Sequence, residues 1–216
     1  MNRVPRGVRL HAEYLKAELR MRQYGVRRTI LVMGSTRASR RHPHYAVARE
    51  FGGLVAADGR AALMTGGGPG IMEAANRGAY EAGGISIGLN IQLPSEQVPN
   101  RYLTPGLCLS FRYFALRKLH FLLRARAMVA FPGGFGTFDE LFETLTLVQC
   151  AKIAPMPIIL VGEAYWRRAV DMDFLAAEGM IARRDRRLYR YADTARDIWR
   201  AVSPSLAPAA RARTRS

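Results

Sequence analysis

The chain of 216 residues has only two cysteines, four histidines and three lysines, and no long apolar run. Each shortage excludes something. Cys108 and Cys150 match no metal-ligand spacing and the histidines show none, so no metal site is expected. The plain reading of the cysteines is two buried thiols in a cytosolic protein of bacterial type. No stretch approaches the roughly 18–20 apolar residues that span a bilayer. The opening MNRVPRGVRLHAEYLKAELR is basic but holds no apolar h-region, so it is no secretory signal, and a cytoplasmic location is expected. Acids are scarce too: 17 against 33 basic residues, a formal charge of +16.

A charge of that size invites a polyanion partner, so its position matters. Residues 1–28 hold eight basic and two acidic residues, and 183–216 hold ten and three, which leaves +3 for 29–182. The excess sits in the flanks. The preference for arginine, 30 against three lysines, reads as genome composition. Nucleic acid is therefore not expected as the main partner, and a membrane is not expected at all.

What is present fits one globular domain with a real core. A helix over 8–23 lies on a basic N-terminal arm, 1–27. RTILVMG (28–34) reads as a buried strand, followed by the loop GSTRAS and a helix over 43–58. AALMTGGGPG is a strand entering a glycine loop, with a helix over 71–82, and GISIGLNI is a third strand. LCLSF is a short strand before a long helix, 111–125. AMVAFPGG leads into a helix over 137–150, and MPIILVG into one over 164–177. Strands alternating with helices predict an α/β fold, a Rossmann-like parallel sheet covered on both faces, over 28–202. The small-residue basic tail, 203–216, is expected to be disordered.

Two segments echo each other. LMTGGGPGIMEAA and VAFPGGFGTFDEL are both strand, glycine loop and helix, with an acid in the first helical turn. A loop turning sharply into a helix leaves the first N–H groups unpaired at the positive end of the dipole, which makes an anion site. Gly133, Gly134, Gly136 and Thr137 are therefore candidates to hold a phosphate, with Gly67 and Gly68 in the other loop and Ser35 after the first strand. The alternative is a tight turn without a ligand. Neither loop is a Walker A and neither has G-x-G-x-x-G spacing, so ATP hydrolysis and NAD binding are disfavoured. Glu140 has two readings: Thr137-Phe138-Asp139-Glu140 is T-x-x-E, a capping box, or Glu140 is a carboxylate facing a cationic transition state. Arg117 and Lys118, on a helix apolar nearly all round, either snorkel to solvent or reach the cleft.

PGGFGTFDE (132–140) fits the PGGxGTxxE motif, and with Arg117-Lys118, GSTRAS, TGGGPGIMEAANRGAYEAGG and FRYFALRK it resembles the LOG (LONELY GUY) family. These are the cytokinin riboside 5′-monophosphate phosphoribohydrolases, and the likeness is to their longer bacterial branch over roughly residues 28–165. The resemblance implies a homodimer or an assembly of dimers that hydrolyses the N-glycosidic bond of AMP or N6-modified AMP to free base and ribose 5-phosphate. It implies Arg117 and Glu140 as the catalytic pair and Gly133, Gly134, Gly136 and Thr137 as the phosphate loop, with Lys118, Ser35, Gly67 and Gly68 beside the nucleotide. Glu73 and Asn76 are candidates for ribose or water contacts. No metal or organic cofactor is required. The older family label, lysine decarboxylase, does not suit the chain: a pyridoxal enzyme needs a Schiff-base lysine, and Lys16, Lys118 and Lys152 are not in such a setting. A non-catalytic nucleotide or molybdopterin carrier on the same fold is the alternative.

Overall fold

The computed structural model describes residues 5–92 and 98–207. In chain order the elements are α1 (Arg6–Gln23), β1 (Thr29–Met33), α2 (Pro43–Asp58), β2 (Ala62–Thr65), α3 (Ile71–Glu81), β3 (Ser86–Ile91) and β4 (Cys108–Phe111). They continue with α4 (Phe114–Leu123), β5 (Ala125–Ala130), α5 (Phe135–Gln149), β6 (Ile158–Leu160), α6 (Glu163–Ala169), α7 (Met172–Ala177), β7 (Arg190–Tyr191) and α8 (Ala195–Val202). Seven strands form one sheet in the order β4-β3-β2-β1-β5-β6-β7, and every pairing is parallel. The fold is the expected Rossmann-like α/β.

The central strands are short apolar runs because both faces are covered. Within β1 all five residues are buried. Ile30 and Val32 join the core under α2, α3 and α8, while Leu31 and Met33 join the core under α1, α4 and α5. That alternation follows from the two-residue period of a strand.

The order of the sheet reverses between β1 and β5, so the loops leaving these strands part on opposite faces and a crevice opens at their carboxyl ends. The PGGFG loop follows β5. It sits at this switch point.

Several boundaries differ from the sequence reading. The helix expected over 164–177 is two, broken where Val170 turns extended and Asp171 caps α7 by accepting from the Phe174 N–H. The helix expected over 111–125 is shorter at both ends, since Phe111 finishes β4 and Ala125 opens β5. Strand β7 and helix α8 were not anticipated. Residues 203–206, expected within a disordered tail, form a 3-10 turn that buries Leu206, whose carbonyl accepts from Arg28 at 2.6 Å. The remainder of the tail, 208–216, lies outside the described residues, as do 1–4 of the arm. Both thiols are exposed rather than buried: Cys108 faces out from edge strand β4 and Cys150 lies just beyond α5. Among the described residues no helix is long and apolar enough to cross a membrane.

Candidate active site

Three loops meet at the switch point. The Ser35 N–H donates to the Pro132 carbonyl at 2.9 Å, and the Ser35 carbonyl accepts from Ile71 at 3.0 Å. Ser35 thus ties the end of β1 to the PGGFG loop on one side and to the start of α3 on the other. Gly133 lies so close that a Cβ there would strike the Thr137 side chain, which is why only glycine fits. Its carbonyl accepts from the Tyr165 hydroxyl at 2.5 Å, so the loop is braced from α6.

Helix α5 begins at Phe135, with Gly134 as its N-cap and no side-chain cap. Thr137 and Phe138 donate back to the Gly134 carbonyl. The N–H groups of Phe135 and Gly136 donate to no described residue. Two free amides at the positive end of a 15-residue helix are what an anion site requires. Around Gly134 and Gly136 there is open space, and neither glycine has a positive φ.

The early start of α5 overturns the capping-box reading. Thr137 is inside the helix rather than at its cap, so Glu140 has no cap to complete. The Glu140 side chain instead points inward and is 3% exposed. Among the described residues its carboxylate accepts no hydrogen bond and has no cation within ion-pair distance. Burial pushes its pKa from near 4.5 up to about 7, against the opposing charges of Lys118 and Arg117. A buried carboxyl poised near neutrality is a candidate general base.

Arg117 comes from α4. Its Nε donates to the Leu89 carbonyl at 2.7 Å, and its guanidinium lies 4.9 Å from the centre of the Phe121 ring. One terminal nitrogen lies against Gly66, where any Cβ would collide with it. The two terminal nitrogens donate to no described residue, and burial lowers the guanidinium's pKa. Arg117 acts on Glu140 as a through-space charge, not by a hydrogen bond. Lys118 faces elsewhere than expected. Its ammonium pairs with Asp139 at 2.7 Å and Glu143 at 3.0 Å on α5, so it is not free for phosphate.

The other glycine loop does different work from its echo. The Gly67 N–H is taken by Thr65 Oγ1 at 2.8 Å, and the carbonyls of Gly67 and Gly68 accept from Asn100. The first α3 amide, on Ile71, is taken by Ser35. Gly67 therefore offers no free donor. At Gly70, φ is +69° with ψ −127°, a conformation open in practice to glycine alone. Asn76 is wholly buried and does not contact the cleft: Thr65 and Asn100 donate to its oxygen, and its nitrogen donates to Ser86 and Ile87. It is a fastener for this loop. Asn100, which the sequence did not single out, is its partner; a lone Asn in a polar loop carries no signal. Glu73 is half-buried and accepts from Arg40 and Tyr45 through one oxygen, lining a polar cleft of about 390 Å³ with Arg40, Asn100 and Tyr102. Among the described residues no group of histidine, cysteine, aspartate or glutamate could hold a metal ion.

The family model described as "Possible lysine decarboxylase" matches residues 72–202, which include Arg117 and Glu140 and both begin and end later than the stretch carrying the sequence resemblance. A probable cytokinin riboside 5′-monophosphate phosphoribohydrolase of Oryza sativa subsp. japonica, LOGL5, is 30% identical over 140 residues, 63% of this chain and 56% of that protein. The match thus spans little more than half of that relative's length. A second from the same organism, LOG4, is 27% identical over 175 residues, 79% of this chain and 74% of that one. Among solved structures, the molybdenum cofactor carrier protein of Chlamydomonas reinhardtii superposes with a TM-score of 0.59 at 26% identity, covering 84% of this chain and 99% of the carrier.

Proposed function

Since the chain belongs to the possible lysine decarboxylase family, the LOG family of its curated relatives, we propose that it hydrolyses the N-glycosidic bond of nucleoside 5′-monophosphates. AMP and N6-modified AMP are the expected substrates, with free base and ribose 5-phosphate as products. The observation that carries this reading is Glu140: a buried carboxyl without a hydrogen-bond donor, on the helix whose first amides are free.

The residues suggest a division of labour. The Phe135 and Gly136 amides hold the 5′-phosphate, so its binding energy positions the ribose. As the C1′–N bond breaks, its electron pair leaves with the base and positive charge develops on the ribose, as in glycoside hydrolysis. Ionised Glu140 stabilises that charge and takes a proton from the water that adds to C1′; the departing base gains a proton from solvent, and Glu140 returns its own to solvent. Arg117, with its terminal nitrogens free, orients the substrate and keeps Glu140 ionisable.

Initial rates of base release from AMP, isopentenyladenosine monophosphate, GMP and CMP test the proposal. Adenine nucleotides should be turned over, and the ratio of the first two reports whether the pocket favours an N6-prenyl group. The carrier reading rests on the Chlamydomonas neighbour. No base release from any of the four, together with tight binding of a molybdopterin, would favour it.

We also propose a homodimer. The outer face of α5 forms a groove of about 510 Å³ lined by Phe135, Phe138, Phe142 and Leu147. Phe135 is 96% exposed, and Phe114, Leu119 and Leu123 continue the apolar surface onto α4. Such a surface is costly in water and suits a second copy. Sedimentation should show a dimer at micromolar concentration and a monomer for Phe142→Arg; a monomeric parent protein removes the proposal.

A further inference from the structure

The N-terminal helix lies outside the stretch matched by the family model, and its sequence suggests only a basic arm. Yet both of its acids reach one neighbour, Glu18 while also pairing with Arg22 on α1 itself at 2.8 Å. Glu13 Oε1 accepts from the Arg112 and Tyr113 N–H groups, each at 3.1 Å. Tyr113 is the N-cap of α4, and α4 has no side-chain cap of its own. A carboxylate from another helix therefore satisfies amides at the positive end of α4. At the opposite end Arg124, the C-cap residue, pairs with Glu18 at 2.8 Å and donates to the Val26 carbonyl at 3.0 Å. Arg124 holds the Glu18 carboxyl below its ordinary range. Between these ends the Tyr14 ring lies 5.0 Å from buried His120, and Ala17 and Met21 are buried against the same core.

We propose that α1 is a positioning element for the active site: Glu13 and Glu18 clamp the two ends of α4 and so fix where Arg117 stands. The proposal rests on the reading that Arg117 and Glu140 act together. Arg117 sits one helical turn after the Glu13 contact. Its Nε is held by the Leu89 carbonyl and one terminal nitrogen is packed beside Gly66, so a shift of the helix beneath it strains or breaks that seating. Misplacement by about 1 Å can lower a rate on the order of 100-fold. Lys118 rides on the same helix, so a slip of α4 moves both cations whose charge Glu140 feels; the other charges near it, Asp139 and Glu143, stay on α5 and pair with Lys118.

The test compares Glu13→Ala and Glu13→Gln in the full chain. Glutamine keeps an oxygen that can accept both amides; alanine does not. Glu13→Ala should lower kcat for AMP about tenfold with a smaller change in KM. The acid limb of its pH profile should move upward, because Arg117 and Lys118 no longer favour the ionised Glu140. Glu13→Gln should restore kcat and the limb. A loss of melting temperature with kcat and the acid limb unmoved overturns the proposal. If Glu13→Ala does not fold, Glu18→Gln loosens the far end and is judged by the same two readouts. Should the parent protein release no base from any nucleotide, the reaction reading fails by itself. The clamp is then judged by the Glu140 carboxyl titration followed by carbon NMR, which must rise in Glu13→Ala or the inference falls.

Discussion

Glu140→Gln is expected to abolish base release, by 10³-fold or more in kcat on the order of magnitude seen when a catalytic charge is removed, while AMP still binds. Glutamine matches the protonated carboxyl in shape but can neither ionise nor take a proton from water. The same substitution has a signature in stability. Burial holds the Glu140 pKa near 7 in the folded protein, above the 4.5 of an unfolded carboxyl. Between those values the folded state keeps a proton that the unfolded chain has lost, so stability falls as pH rises through that window. Above about 7 the penalty is complete, at most ~3 kcal/mol. Glu140→Gln removes it. The variant should be more stable than the parent at pH 8 and equal to it below pH 4.5, as read from urea midpoints. By the same argument the parent's kcat/KM should rise with pH through about 7 as Glu140 ionises. Near-normal turnover in the glutamine variant would sink the mechanism, and an unchanged stability difference across the pH range would remove the buried charge from the account.

The second large effect concerns the phosphate. With the Phe135 and Gly136 amides unpaired in the described structure, a 5′-monophosphate should be turned over 10³-fold or more faster, in kcat/KM, than the corresponding nucleoside. Charge-assisted hydrogen bonds are each worth roughly 1.5–3 kcal/mol, and two of them, about 3–6 kcal/mol together, cover that ratio. The glycines give a cleaner probe than the ratio alone. A Cβ at Gly134 or Gly136 meets nothing within 4 Å, and neither residue has a left-handed backbone. Gly134→Ala and Gly136→Ala should therefore leave stability nearly unchanged and weaken turnover by crowding the anion. Gly133→Ala is the contrast, since its Cβ would strike Thr137 and disturb the loop with or without a ligand. Adenosine hydrolysed as fast as AMP would refute the phosphate loop.

How much of this was legible beforehand depends on the range of the interaction. Short apolar runs alternating with helical segments fix a parallel sheet, because strand and helix periods are local properties of the chain. The PGGFG loop at the end of β5, followed by a helix, was legible for the same reason. Short elements were not: β7 has two residues and α8 eight, too few for a period to stand out.

The site divides along the same line. From the sequence came the glycine loop, the acid behind it and the arginine, since their types and spacing lie along the chain. Whether each group is free or occupied came only from the tertiary structure. The two glycine loops look alike in one dimension, yet the Gly67 amide is taken by Thr65, while the Phe135 and Gly136 amides are left open. T-x-x-E reads as a capping box until the helix is seen to begin two residues earlier, at Phe135, which turns Glu140 from a cap into a buried carboxyl. Lys118 is drawn off by Asp139 and Glu143, and Asn76 is enclosed by Thr65, Ser86 and Asn100. Donors and acceptors are named by the sequence, but their partners are set by distance in space, and a buried polar group must find one or stay in want of one.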